Sequence, residues 1–282
     1  MSLLDARTKA VSSTVLKIRE IELGEDLAGL EAVRDELVGL ARRTDLFPLS
    51  HFPIKPGTSG GLYRLLEAPD RRYALYISVG IEGRKQSPHR HPSWAIVAGV
   101  KGREHNVIYD RVDDGSIPEQ GALRRRRDFD VEPGNGLVVY PGEFHTIEVN
   151  GDDPALHLHF YEIAVDRWTG SYPAFASPDA TTYKLDAAPP AKIVGVPRVS
   201  VEEIAEARAA GEKIVLIAIA ADLPAALASS PDTILVPDVA SVAALELTPG
   251  TPVVFAGTQA DAQEATHILI ERGHGNAAHL DV

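Results

Sequence analysis

His89 and His91 stand two apart in a segment of strand-forming texture, so a strand would turn both imidazoles to one face. His145 follows Pro141-Gly142-Glu143-Phe144 at the start of another such segment and can reach them from across a barrel. Three neutral imidazoles can hold a divalent transition metal while leaving positions open for substrate or oxygen. By themselves they accept Fe, Zn, Ni, Cu or Mn, and a lone His-x-His pair also fits two surface histidines. A second set lies in ALHLHFYEIAV, where His157, His159 and Tyr161 alternate and share a face. Turned inward, the Tyr161 hydroxyl can donate to bound oxygen or substrate, with His159 fixing its orientation. Turned outward, the three form a polar surface and leave Leu156, Leu158 and Phe160 to the core. Arg64 offers a planar fork for a carboxylate, and Arg167 is a second candidate.

Elements that could position these groups are visible in the periodicity. Val15, Ile18, Ile21, Leu27, Leu30, Val33, Leu37 and Leu40 fall near a 3.6 period and predict helices over 13–45, broken at Gly24. From Gly60 the texture turns to short β-branched and aromatic segments separated by Gly, Pro, Asn and Asp, which predicts a small barrel or jelly roll under a helical cap. Pro173, Pro178, Pro189, Pro190 and Pro197 then mark an aperiodic stretch, read as a linker over 173–191. Beyond it strands and helices alternate. Ser200 with Glu203 makes a capping box for the first helix, and apolar runs such as KIVLIAIA predict a covered parallel sheet. Two domains are expected, 1–172 and 192–282.

Composition narrows the functional classes. The chain of 282 residues carries 28 Lys plus Arg against 40 Asp plus Glu, a net charge of −12. That argues against nonspecific nucleic-acid or anionic-membrane binding. No cysteine is present, so disulfides, thiolate metal sites and Cys nucleophiles are excluded, in keeping with an expected cytoplasmic location. No apolar run is long enough for a membrane helix, and MSLLDARTKAVSST lacks the apolar core of a signal peptide. Arg124–Arg127, followed by Asp128 and Asp130, reads as a solvated strand edge, and His51 is given no role.

Gly83, five residues, His89-x-His91 and Gly102, then Gly134 and Gly142-x-x-His145, resemble the two cupin motifs. Ala95 and Ile96 replace the motif-one Glu, Pro141 is displaced by one position, and Val149 stands for the Asn with Asn150 beside it. SPHRHPSWAIVAGVKGREHNVIYDR resembles the thiol dioxygenases, cupins of the cysteine dioxygenase and 3-mercaptopropionate dioxygenase kind, over roughly 13–170. The resemblance implies an all-β cupin (double-stranded β-helix) with N-terminal helices and Fe(II) on His89, His91 and His145. It also implies a His-x-Tyr pair at His159 and Tyr161, and Arg64 as the clamp for a substrate carboxylate. His157 replaces the family's Ser, which alters the proton relay and pocket size. Leu62 replaces a Tyr, and the cross-linking Cys of animal enzymes is absent.

Residues 192–282 resemble a rhodanese-like domain, with Ala256 at the catalytic Cys position and Ala218 and Ala220 for the usual Asp and Arg. Without a thiol, sulfur transfer has no nucleophile. This unit is expected to serve packing, partner docking or a homo-oligomer. His267, His274 and His279 lack paired spacing and are expected on the surface or in packing. The implied activity is Fe(II)-dependent oxidation of a small thiol carboxylate by O2 to its sulfinate. Alternatives are another three-His cupin enzyme acting on a small acid, or a non-catalytic metal- or ligand-binding cupin.

Overall fold

The computed structural model describes residues 2–117, 119–168, 172–186 and 193–280. Two helices open the chain, α1 (Leu3–Arg19) and α2 (Leu30–Ala41). α1 starts well before the periodic stretch because Ser2 caps it, its side chain accepting from the Asp5 N–H at 3.2 Å. Asp5 lies in the first turn and Lys17 and Arg19 in the last, which suits the helix dipole. Gly24, at φ +73°, makes the expected break.

Twelve strands follow. They are β1 (Gly60–Glu67), β2 (Arg72–Gly80), β3 (Lys85–His89), β4 (Ala95–Lys101), β5 (Glu104–Arg111) and β6 (Leu123–Val131), then β7 (Gly136–Val139), β8 (Phe144–Val149), β9 (Ala155–Ile163), β10 (Tyr172–Phe175), β11 (Tyr183–Asp186) and β12 (Ile193–Gly195). They form two six-stranded sheets, β12-β1-β2-β9-β4-β7 and β11-β10-β3-β8-β5-β6. All pairings are antiparallel except β12 against β1. The chain changes sheet repeatedly, as in a jelly roll.

β9 is buried on both faces. Leu156, Leu158 and Phe160 pack beneath α1 and α2, in one cluster with Val15, Val33 and Leu37. The alternate residues point between the sheets, where Tyr161 joins Tyr76, Ala95, Val97 and Ile108. The outward reading of His157, His159 and Tyr161 is thereby excluded: strand alternation supplied two cores instead of a core and a wet face.

The linker expected over 173–191 is corrected across 173–186. β10 pairs with β11 and, at Ala174, with His89 of β3, extending the second sheet. Phe175 sits edge-on to Phe144 at 5.3 Å and beside Tyr183 at 5.3 Å. Proline near a strand's start is compatible with pairing, and the aromatic packing holds the segment. Residues 187–192 lie outside the described set.

The C-terminal unit comprises β13 (Arg198–Val199), α3 (Val201–Ala209), β14 (Val215–Ile219), α4 (Ala225–Ala228), β15 (Thr233–Val236), β16 (Val253–Ala256), α5 (Gln259–Leu269) and β17 (Ala277–Leu280). Its strands form a separate parallel sheet, β13-β17-β16-β14-β15, with apolar clusters on both faces. The Ser200–Glu203 capping box is present. Between β15 and β16 the segment SVAALELTPG forms only part of a 3-10 turn over Ala240–Ala244, ended by extended Leu245.

The units are closely joined. Leu4 of α1 lies in the C-terminal core with Val199 and Ile204. Arg7 Nη1 donates to His51 Nδ1 at 2.8 Å, and His51 Nε2 lies 2.8 Å from Glu203 Oε1, so His51 is a buried bridge between the units. Among the described residues no helix is long and apolar enough to cross a membrane.

Candidate metal centre

β3 and β8 lie side by side, with His89 opposite His145. His91 follows the end of β3 and turns back into the same interior. All three are buried, and one nitrogen from each lies within 4.8 Å of the others. Their hydrogen bonds fix which nitrogens face inward. His89 Nδ1–H donates to the Ser87 carbonyl at 2.9 Å, and His145 Nδ1–H donates to Asn106 Oδ1 at 3.0 Å. Both Nε2 atoms are thus left as lone pairs, the arrangement that second-sphere partners impose on metal-binding imidazoles. His145 Nε2 lies 3.3 Å from His91 Nε2. His91 Nδ1 has no partner among the described residues, so in the metal-free ring Nε2–H can donate to the His145 Nε2 lone pair, the place a bound cation would take. The separation is near the ~3 Å expected for adjacent nitrogens each about 2.1 Å from one ion. The donor set therefore fits a divalent transition metal.

The electrostatics favour neutral rings. Burial lowers the pKa of His89 and lowers those of His91 and His145 well below the usual value, with the neighbouring imidazoles adding to the effect. No carboxylate stands in the expected motif-one place. Ala95 faces the interior and Ile96 faces the helices.

A buried polar chain continues from the trio. Asn106 Nδ2 donates to Glu104 Oε1 at 3.2 Å, so one amide ties His145 to a carboxylate that is 1% exposed. Glu104 Oε2 lies 3.9 Å from both His157 Nδ1 and His159 Nε2. His157 Nε2–H donates to the Val131 carbonyl at 3.1 Å. His159 Nδ1 lies 3.2 Å from the Tyr161 hydroxyl. The Glu104 charge favours the His159 proton on Nε2, which leaves Nδ1 to accept from Tyr161. Burial pushes the His159 pKa down to about 4 against the pull of Glu104. Burial and the same carboxylate raise the Tyr161 pKa, so its phenol stays protonated. Burial also opposes the charge on Glu104. His157, His159, Arg84 and the Asn106 amide more than offset it, leaving that carboxyl below its usual range.

Tyr161 and Trp168 close the site. Their rings each lie 5.5 Å from that of His91 and 5.6 Å from one another. Trp94, by contrast, packs on the helix side against Tyr73 and Phe160.

The two arginines are placed elsewhere. Arg64 Nη2 donates to Asp166 Oδ2 at 2.7 Å, and its guanidinium lies over the Tyr76 ring at 5.8 Å. Nη1 is 2.9 Å from His267 Nε2 and 3.5 Å from Glu67 Oε2. The fork expected to hold a substrate carboxylate thus already holds one from its own chain. Arg167 Nε pairs with Glu67 Oε1 at 2.9 Å.

Sequence reading missed Glu104, Asn106 and Trp168. For the first two the signal was their i, i+2 spacing on β5, with His105 turned outward to Asp130 at 2.7 Å. In the C-terminal unit, β16 ends at buried Ala256, followed by Gly257 and Thr258. The N-terminus of α5 is taken by its own Thr258–Asp261 capping box.

No protein-family model matches the chain, and no curated protein matches it. Solved structures similar to parts of it include Bacillus subtilis oxalate decarboxylase, at 19% identity, TM-score 0.31, over 41% of this chain and 28% of that one. DMSP lyase DddQ from Ruegeria pomeroyi DSS-3 is similar at 14% identity, TM-score 0.30, over 43% and 57%. Procruciferin, an 11S globulin of Brassica napus, is similar at 16% identity, TM-score 0.31, over 41% and 28%. The match spans less than a third of the oxalate decarboxylase and globulin chains.

Proposed function

We propose that this chain is a metal-dependent cupin enzyme, an iron(II) thiol dioxygenase that converts a small thiol carboxylate, cysteine or 3-mercaptopropionate, to its sulfinate. The observation that carries the reading is the convergence of three buried imidazoles, two with Nε2 freed by defined Nδ1 hydrogen bonds. His89, His91 and His145 would hold the metal. When bound, iron(II) supplies Lewis acidity toward a thiolate and the electrons that activate dioxygen.

The reaction RSH + O2 → RSO2H balances without a reductant, because both oxygen atoms end on sulfur. Tyr161 keeps its proton and offers a hydroxyl beside His91, and His159 orients that hydroxyl. Glu104 and Asn106 hold His145 and His159 in these roles. Trp168 and Tyr161 exclude water from the reacting centre. His157 stands where the resembling enzymes have Ser; it donates to the Val131 carbonyl beside Glu104, and so bears on the site through that carboxylate. Arg64 enters this reading only by exchanging Asp166 for the substrate carboxylate. Arg167, held on Glu67, has no part in it.

The test loads the purified protein with iron(II) and measures oxygen uptake and sulfinate with cysteine, 3-mercaptopropionate and thiol-free small acids. Equal amounts of oxygen consumed and sulfinate formed are expected with a thiol. Uptake with thiol-free acids alone would replace the thiol by another small-acid substrate. Stoichiometric metal with no uptake would reduce the site to a binding function.

A further inference from the structure

We propose that His267, on α5 of the C-terminal unit, is a positioning residue for the three-histidine site, acting through Asp166 on the turn that lays Trp168 against His91. The inference rests on the three-histidine centre proposed above and gives the thiol-free C-terminal unit a specific task.

The path is short and continuous. His267 Nε2 lies 2.7 Å from Asp166 Oδ2, the oxygen that also accepts from Arg64 Nη2 at 2.7 Å. Asp166 is in the single 3-10 turn Val165–Arg167, and Trp168 caps that turn. Other contacts tie the turn to the barrel. The Val165 N–H donates to the Tyr76 hydroxyl at 3.1 Å, and Trp168 Nε1–H donates to the Ile163 carbonyl at 3.1 Å. Arg167 rests on Glu67. His267 is thus the C-terminal unit's side chain on Asp166. One 3-10 turn closes few internal hydrogen bonds and takes its geometry from such outside contacts.

Charge makes the contact directional. Burial alone would raise the Asp166 carboxyl, but the His267 hydrogen bond and the Arg64 charge overcome it and hold the group well below the usual range. The carboxylate is therefore permanently charged and needs its donors. Arg64 is fully buried and lies over Tyr76, so it cannot follow Asp166 if the turn drifts. His267 Nε2 faces both Asp166 Oδ2, at 2.7 Å, and Arg64 Nη1, at 2.9 Å, so removing the imidazole takes away the atom that ties the turn's carboxylate and the buried guanidinium to α5. The turn and the indole it carries then lose their fixed place over His91.

The test uses the full chain in a Trp94→Phe background, where Trp168 is the remaining tryptophan. His267→Ala should red-shift Trp168 emission and raise its acrylamide quenching constant by about twofold or more. Metal stoichiometry should stay unchanged. His267→Gln, which restores a donor, should recover most of the parent signal. Glu271→Ala removes the nearby Arg71–Glu271 pair without touching Asp166 and should leave emission unmoved. Parent-like emission in His267→Ala would overturn the proposal. So would an equal shift in Glu271→Ala, which would mean general loosening of the contact between units. Failure of the unsubstituted chain to bind metal would instead strike the three-histidine reading.

Discussion

Between the two sheets of the sandwich lie His89, His91, Glu104, Asn106, His145, His157 and His159, all buried. The core of the parallel sheet is built differently. Its central strands read Val215–Ile219 and Val253–Ala256, apolar and buried throughout. Burying a polar group without a partner is unfavourable by roughly 1–3 kcal/mol. A chain that does this repeatedly in one place, and links the groups to one another, marks where its chemistry is. Among the described residues the parallel-sheet unit buries three such side chains, Thr266, His274 and His279.

The sharpest way to break this contrast is to remove a ligand from the polar side. His89→Ala is expected to lower metal affinity by at least about a thousandfold, read by metal analysis after dialysis. Retained stoichiometric metal would remove His89 from the centre. On the apolar side, Phe255→Ala should destabilise the protein by about 3–5 kcal/mol in denaturant unfolding while the remaining folded protein binds metal as before. A matching loss of metal affinity would show that the two regions are not separable.

Acid sharpens the same contrast. In the folded metal-free protein His159 takes its proton near pH 4, whereas in the unfolded chain it does so near 6.5. Between those values the unfolded state binds more protons, so acidification favours unfolding. The stabilisation is complete above 6.5 and lost on descending to 4, on the order of 3 kcal/mol from this residue. His89, His91, His145 and His157 add in the same sense. Unfolding midpoints that stay flat from pH 7 to 4 would contradict the buried neutral network. The smallest effect is expected for Asn106→Ala, which removes the His145 partner and should weaken metal binding by about ten- to a hundredfold. An unchanged affinity in a titration would detach Glu104 and Asn106 from the centre.

Much of this was legible beforehand. Alternation and turn residues placed β9, β14, β16 and the helices of both units, and capping chemistry located the start of α3 at Ser200. The His89-x-His91 spacing and His145 pointed to one cluster because strand geometry leaves little choice of direction. Pro173 predicts a break, whereas packing of Phe175 between Phe144 and Tyr183 keeps the segment in the sheet. Arg64 could not be read correctly. Its partners Asp166 and His267 are remote in sequence, and only the docking of the two units brings them to it. Glu104 has no sequence mark that separates it from a solvated acid; its place on β5 opposite outward-turned His105 is what buries it.

Leu4 and Leu280 share one apolar cluster. During synthesis α1 emerges well before β17, so that part of its surface stays wet until β17 follows. Truncating β17, even far from any histidine of the barrel, would therefore leave α1 without this cover and expose it to aggregation.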